Sequence, residues 1–136
     1  MTDKSTSLQT SIQPWLTVQN AAKTIEFYKN AFGAVETYRM EVPGGGLVVK
    51  LSIDGAEFWI SSENDNANAK QLGNDTIRMI LVADDPDTVF TKAIAAGASE
   101  IFPVGEEYGW LLGRIVDPFG LHWEIGHSLT HDTTTS

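Results

Sequence analysis

The chain has no cysteine among its 136 residues. That removes disulfides, thiolate metal sites and thiol nucleophiles at once. Histidine is also scarce. The three residues, His122, His127 and His131, fall at the end of the chain, two of them in or beside the tail, so no Ser/His/Asp arrangement can be read. Positive charge is short, with 9 Lys and Arg against 18 Asp and Glu and a formal net charge of −9. Such a chain lacks the basic footprint that nucleic-acid phosphates require. The acid excess suits a cationic small molecule, or serves solubility alone. No apolar run is long enough to span a bilayer, and no signal-peptide pattern opens the chain. The expectation is a cytoplasmic protein with neither nucleic acid nor membrane as partner.

What is present is enough for one core: 42% of the residues are hydrophobic and 20% charged, the balance of a globular domain. Polar tails are expected at 1–10 and 128–136. The polar stretch 63–75 reads as a linker between two modules, 11–62 and 76–127. In the first module, Ser11 to Val18 reads as a strand with Leu16 and Val18 on one face and Gln13, Trp15 and Thr17 on the other. Pro14 confines it to an edge or to its own start. Asn20 is a suitable N-cap, Ala21, Ile25, Tyr28 and Phe32 recur at helical spacing, and Gly33 is a natural stop. Strands follow at 35–41, 47–53 and 57–61. The glycines at 44–46 feed a strand rather than a helix N-terminus, which reads as a hairpin turn and not a phosphate cradle.

The second module repeats the order. A strand spans 77–82, Asp84 or Asp85 caps a helix with Pro86 in its first turn, and Gly97 stops it. Strands are expected at 99–104 and 110–116, with a loop at 105–109. Asp117-Pro118-Phe119-Gly120 is then a strong turn signal. The following LHWEIG alternates, with Leu121, Trp123 and Ile125 on one face and His122, Glu124 and Gly126 on the other. Leu16–Tyr38 lies over Ile80–Phe102 at a constant offset of 64, matching Val18 to Val82, Thr24 to Thr88, Gly33 to Gly97 and Glu36 to Glu100. Each half is therefore βαβββ. The same offset makes Gln13 equivalent to Ile77, and one residue of slippage makes Trp59 equivalent to Glu124. A pseudo-two-fold would gather these positions on one open face, where Gln13, Trp15, Trp59, Met79, His122 and Glu124 are expected. Ile80 and Val82, like Leu16 and Val18, are expected under helix cover.

QPWLTVQNAAKTIEFYKNAFGA and DPFGLHWEIG together resemble the vicinal oxygen chelate superfamily of glyoxalases, extradiol dioxygenases, fosfomycin-resistance enzymes and bleomycin-resistance proteins, over Ile12 to His127. The resemblance is greatest to small single-chain bacterial members of the glyoxalase/bleomycin-resistance type. It implies an α+β fold of two βαβββ modules in a curved mixed sheet with an open cleft, and a homodimer in which a second subunit often completes that cleft. It also implies metal positions at Gln13, Trp59, Ile77 and Glu124. Two of these four, Trp59 and Ile77, cannot ligate, which leaves open whether the chain is an enzyme.

Two functions compete. One is a binding protein without metal or other cofactor, which stacks a small aromatic or cationic molecule on Trp15, Trp59 and Trp110 and anchors it with Gln13 and Glu124. The other is a metal-dependent lyase, isomerase or dioxygenase in which Gln13 and Glu124 hold a divalent ion, with His122 as a third ligand. A vestigial cleft in an interaction module is a third possibility. Blander roles stay open for each residue: the tryptophans as core, Glu124 as the ion-pair partner of Arg114 or Arg78, His122 as a structural histidine, and Glu106-Glu107 as a solvated pair. Tyr108 and Trp110 flank Gly109 and could form a lip over the cleft.

Overall fold

The computed structural model describes residues 10–62 and 77–129. The expected linker and most of both expected tails lie outside those residues. Ten elements follow in order: β1 (Trp15–Thr17), α1 (Ala21–Phe32), β2 (Val35–Val42), β3 (Gly46–Ile53), β4 (Ala56–Ser62), β5 (Arg78–Val82), α2 (Pro86–Ala96), β6 (Ser99–Glu107), β7 (Trp110–Val116) and β8 (His122–Ser128). This is βαβββ twice. Each module forms a four-stranded mixed sheet, ordered β1-β4-β3-β2 in the first and β5-β8-β7-β6 in the second. The first strand of each module pairs in parallel with the last, and the others are antiparallel hairpins.

The helices are set by their caps. Asn20 accepts the Lys23 N–H and Asp85 accepts the Thr88 N–H, each relieving one orphan donor of a first turn. Gly33, at φ 70°, ends α1 in the left-handed conformation that favours glycine. The two helices pack on each other and on the inner faces of their own sheets. Buried between them are Val49, Leu51, Phe58 and Ile60 from the first sheet and Ile115, Trp123 and Ile125 from the second. Tyr28 is at the centre. Its ring stacks on Phe32 and meets Phe58, Phe119 and Trp123 within 6.3 Å, so a helix of the first module is embedded in the turn and last strand of the second.

The turn at Asp117 acts on both modules. Gly120 N–H closes it onto the Asp117 carbonyl. The Asp117 carboxylate, 3% exposed, accepts the N–H groups of Phe119 and Leu121, the indole N–H of Trp123 and the hydroxyl of Tyr28 at 2.5 Å. Four donors satisfy a buried carboxylate that has no cation beside it among the described residues, the condition under which burial is tolerated. Burial pushes the Tyr28 phenol well above its ordinary range, and the adjacent Asp117 carboxylate adds to the shift.

Two expectations are corrected. The stretch 105–109 is not a loop: β6 runs to Glu107, and only Tyr108 and Gly109, at φ 50° and 83°, make the turn. Two adjacent residues at positive φ match the tight hairpin turn whose twist suits paired strands. The second correction concerns β5. Met79 pairs with Trp123 and Leu81 with Ile125, so these face the core, while Ile80 and Val82 are 61% and 65% exposed. The offset is not a constant 64. The caps Asn20 and Asp85 are 65 apart, and α2 has 11 residues against 12 in α1, so the missing residue lies within the helix. Upstream of it the whole strand shifts by one residue, which in a strand exchanges the two faces.

Candidate functional site

With the register corrected, Gln13 corresponds to Arg78, Trp15 to Ile80 and Trp59 to Glu124. The ladders agree, since Trp15 lies beside Trp59 and Ile80 beside Glu124. The two-fold-related positions are thus Gln, Trp, Arg and Glu, not Gln, Trp, Ile and Glu. Within each module the two side chains engage each other. The Trp59 indole N–H donates to the Gln13 side-chain oxygen at 2.8 Å, and Arg78 Nε stands 3.6 Å from a Glu124 oxygen.

These partners do not fit a divalent cation. The Gln13 oxygen is occupied by an indole N–H, and a guanidinium beside Glu124 repels a metal ion. His122 is no better placed as a third ligand. It shares the open face with Glu124, but its Nδ1 accepts the Nε–H of Arg114 at 3.1 Å, which brings a second guanidinium alongside. Arg114, one of the partners considered for Glu124, engages His122, and Arg78 takes the carboxylate. Among the described residues no group of three or more His, Asp or Glu side chains gathers as a metal site.

The open faces of the two sheets differ in chemistry. On the first, Trp15 and Trp59 stack with centroids 5.6 Å apart, Tyr38 meets Trp59 edge-on, and Lys50 Nζ is 5.1 Å from the Trp59 ring centre. Lys50 also lies 3.7 Å from Glu57, and Trp15 donates its indole N–H to Ser61 Oγ at 2.9 Å. Trp59 therefore already has neighbours from β1, β2 and β3, and of the two tryptophans Trp15, 53% exposed, is the more open. A cavity of about 300 Å³ lies between Trp15 and Val42, over Val48 and Ser61.

The second face holds a cavity of about 410 Å³ lined by Trp110, Phe102, Tyr108, Leu112 and Ile80, with Glu124, Glu107 and Arg78 as its charges. Tyr108 sits at the hairpin tip, 97% exposed, with a left-handed backbone that is unfavourable for a bulky side chain.

Residues 9–125 match the model of the Glyoxalase/Bleomycin resistance protein/Dioxygenase superfamily. The chain belongs to that superfamily. Within it, an uncharacterized protein of Mycobacterium bovis is 30% identical over 128 residues, covering 88% of this chain and 84% of that protein. A gene product of Arabidopsis thaliana of known structure is 25% identical, with a TM-score of 0.67 over 88% of this chain and all of that one. A glyoxylase/bleomycin resistance protein/dioxygenase domain from Frankia shares the fold at a TM-score of 0.73, over 90% and 99% of the two chains, with 15% identity. No helix among the described residues is long and apolar enough to cross a membrane.

Of the expected site residues, this superfamily member brings Trp110 and Glu124 to one cavity, with His122 on the same sheet face outside it. Gln13, Trp15 and Trp59 gather on the other sheet. Met79 joins neither, because it turns to the core. Sequence reasoning missed Arg78, Ile80 and Phe102 as lining residues. The signal that reaches Arg78 is cap-to-cap alignment of the helices, since Asn20 and Asp85 are both legible and set the offset of their preceding strands.

Proposed function

We propose that this chain is a binding protein for a small aromatic cation, held without metal in the cleft of the second module. The observation that carries the reading is the 410 Å³ cavity, in which the rings of Trp110, Phe102 and Tyr108 accompany two carboxylates, Glu107 and Glu124, and one opposing charge, Arg78. An aromatic wall binds a planar cation through its ring faces, and a partly desolvated carboxylate fixes its orientation. The first module's tryptophans, already stacked and hydrogen-bonded on the other sheet, are not part of that cavity.

The test is calorimetric titration with a panel of planar aromatic cations. The wild type is expected to bind at least one in the micromolar range, with Trp110→Ala and Glu124→Gln each at least tenfold weaker, about 1.4 kcal/mol or more. Absence of binding across the panel, or affinity unchanged in both variants, would refute the reading. A homodimer is proposed with it. Met40, Tyr38, Ile80 and Val82 leave apolar surface uncovered on the two sheets, and a second copy would bury it. Sedimentation should give a dimer for the wild type and a monomer for the double variant Met40→Glu/Val82→Glu. A wild-type monomer at micromolar concentration would remove the proposal.

A further inference from the structure

Residues of both modules border a third cavity, of about 380 Å³, which adjoins the aromatic cleft at Arg78 and Ile80 and is otherwise lined by different residues. Its apolar wall comes from Ile53 and Phe58 of the first module and from Met79, Leu81 and Trp123 of the second. These are inner-face residues of the two sheets: Ile53, Phe58 and Trp123 are buried and present only their edges to the cavity, while Met79 and Leu81 are partly open to it. Arg78 lines this cavity and the aromatic cleft alike. Its one ionic contact among the described residues is through Nε, to Glu124 at 3.6 Å, with its side chain 43% exposed. Among the described residues neither terminal nitrogen of the guanidinium makes a hydrogen bond to a carboxylate, although a guanidinium is built to hold one through two parallel hydrogen bonds. Glu57 on the opposite rim is already engaged by Lys50 and Gln13.

We propose that this inter-module cavity is a second binding site, for a small amphipathic carboxylate whose apolar body lies against Phe58, Met79 and Trp123 and whose head group is held by Arg78. The volume admits roughly a dozen non-hydrogen atoms at about 30 Å³ each, within the usual range of small-molecule sites. The anion is selected because the site's cation is a guanidinium held only by a 3.6 Å contact to Glu124, and the apolar body because the one other charged lining residue, Glu57, is already engaged. A carboxylate bound there competes with Glu124 for Arg78. Occupancy therefore releases Glu124 to the cleft, which links the two cavities through one side chain. By the same linkage a cation held by Glu124 in the cleft favours the carboxylate on Arg78, but the carboxylate site is present with the cleft empty.

Decanoate, with decan-1-ol as the uncharged control, tests this by calorimetric titration of the intact chain below the micellar concentration. Decanoate is expected to bind at least tenfold more tightly than decanol. Arg78→Gln should remove that preference while leaving decanol unchanged. Ala56→Trp should weaken both ligands at least tenfold, because Ala56 is an exposed residue on the rim and its replacement fills the entrance without touching the core or the cleft. Glu124→Gln should tighten decanoate several-fold by removing its competitor. Equal affinities for acid and alcohol, no effect of Ala56→Trp, or no binding by the wild type would overturn the site. Unchanged or weaker decanoate binding in Glu124→Gln would overturn the exchange. Failure of aromatic cations to bind the cleft would leave all these results standing.

Discussion

Replacing Tyr28 with Phe removes one oxygen atom and leaves the ring cluster around it in place. The hydroxyl it deletes joins α1 to the turn between β7 and β8 by a 2.5 Å hydrogen bond to the Asp117 carboxylate, across 89 residues of sequence. Both groups are out of solvent, Tyr28 at 0% and Asp117 at 3% exposure, so water does not replace the bond in the folded state. A hydrogen bond to a charged acceptor contributes about 1.5–3 kcal/mol. Asp117 keeps three donors in the variant, the indole of Trp123 and the amides of Phe119 and Leu121, so it is not orphaned and the middle of that range, about 2 kcal/mol, is expected. For a chain of this length that corresponds to a melting point lower by roughly 6–8 °C. Urea unfolding at neutral pH measures it. Asp117→Ala, which strands all four donors at once, should lose at least twice as much. In the double variant the Tyr28→Phe loss should nearly vanish, because the acceptor is already gone. A Tyr28→Phe loss under about 0.5 kcal/mol, or strict additivity in the double variant, would refute the view that this bond fastens the modules together.

Alkaline pH gives a second handle on the same group. The folded-state ionisation of Tyr28 is raised, so the unfolded chain releases that proton first. The stabilisation is fully present below about pH 10, the ordinary tyrosine value, and is lost as pH rises towards the folded value. Urea midpoints taken from neutral to strongly alkaline pH should fall more steeply for wild type than for Tyr28→Phe; parallel curves would count against the assignment. Gly126→Ala should lose more than about 3 kcal/mol or yield insoluble protein, because the new Cβ would stand 2.0 Å from the Leu111 carbonyl oxygen and 2.6 Å from Leu112, forcing β8 off β7. Gly105→Ala meets nothing within 4 Å and should stay within about 0.5 kcal/mol, read from the same urea curves. Asn20→Ala, which removes the cap on the Lys23 N–H, should lower stability by about 1 kcal/mol and is checked in the same way.

The sequence by itself determined the elements, their order and the family. Caps, stops and turns are local chemistry: Asn20 and Asp85 supply side-chain acceptors, Gly33 adopts a left-handed φ, and the Asp117 turn closes on its own carboxylate. The alternation of LHWEIG was likewise legible, because Trp123 and Ile125 are buried while Glu124 faces outward. The faces of β5 were less so, because Ile77, Met79 and Leu81 on one side and Ile80 and Val82 on the other are equally apolar, and Arg78 is the one polar mark on the exposed side. What decided them was a parallel ladder to β8, a contact between strands some forty residues apart. That ladder turned Met79 inward, set Ile80 and Val82 outside, and brought Arg78 against Glu124. Sequence could propose either Arg78 or Arg114 for that carboxylate, since both lie on neighbouring strands. The choice depends on distances of a few ångströms that only tertiary packing fixes. The division of the tryptophans is of the same kind: four such residues are countable in the sequence, but that Trp15 and Trp59 stack on one sheet, Trp110 lines a cleft on the other and Trp123 packs against Tyr28 follows from which strand lies beside which.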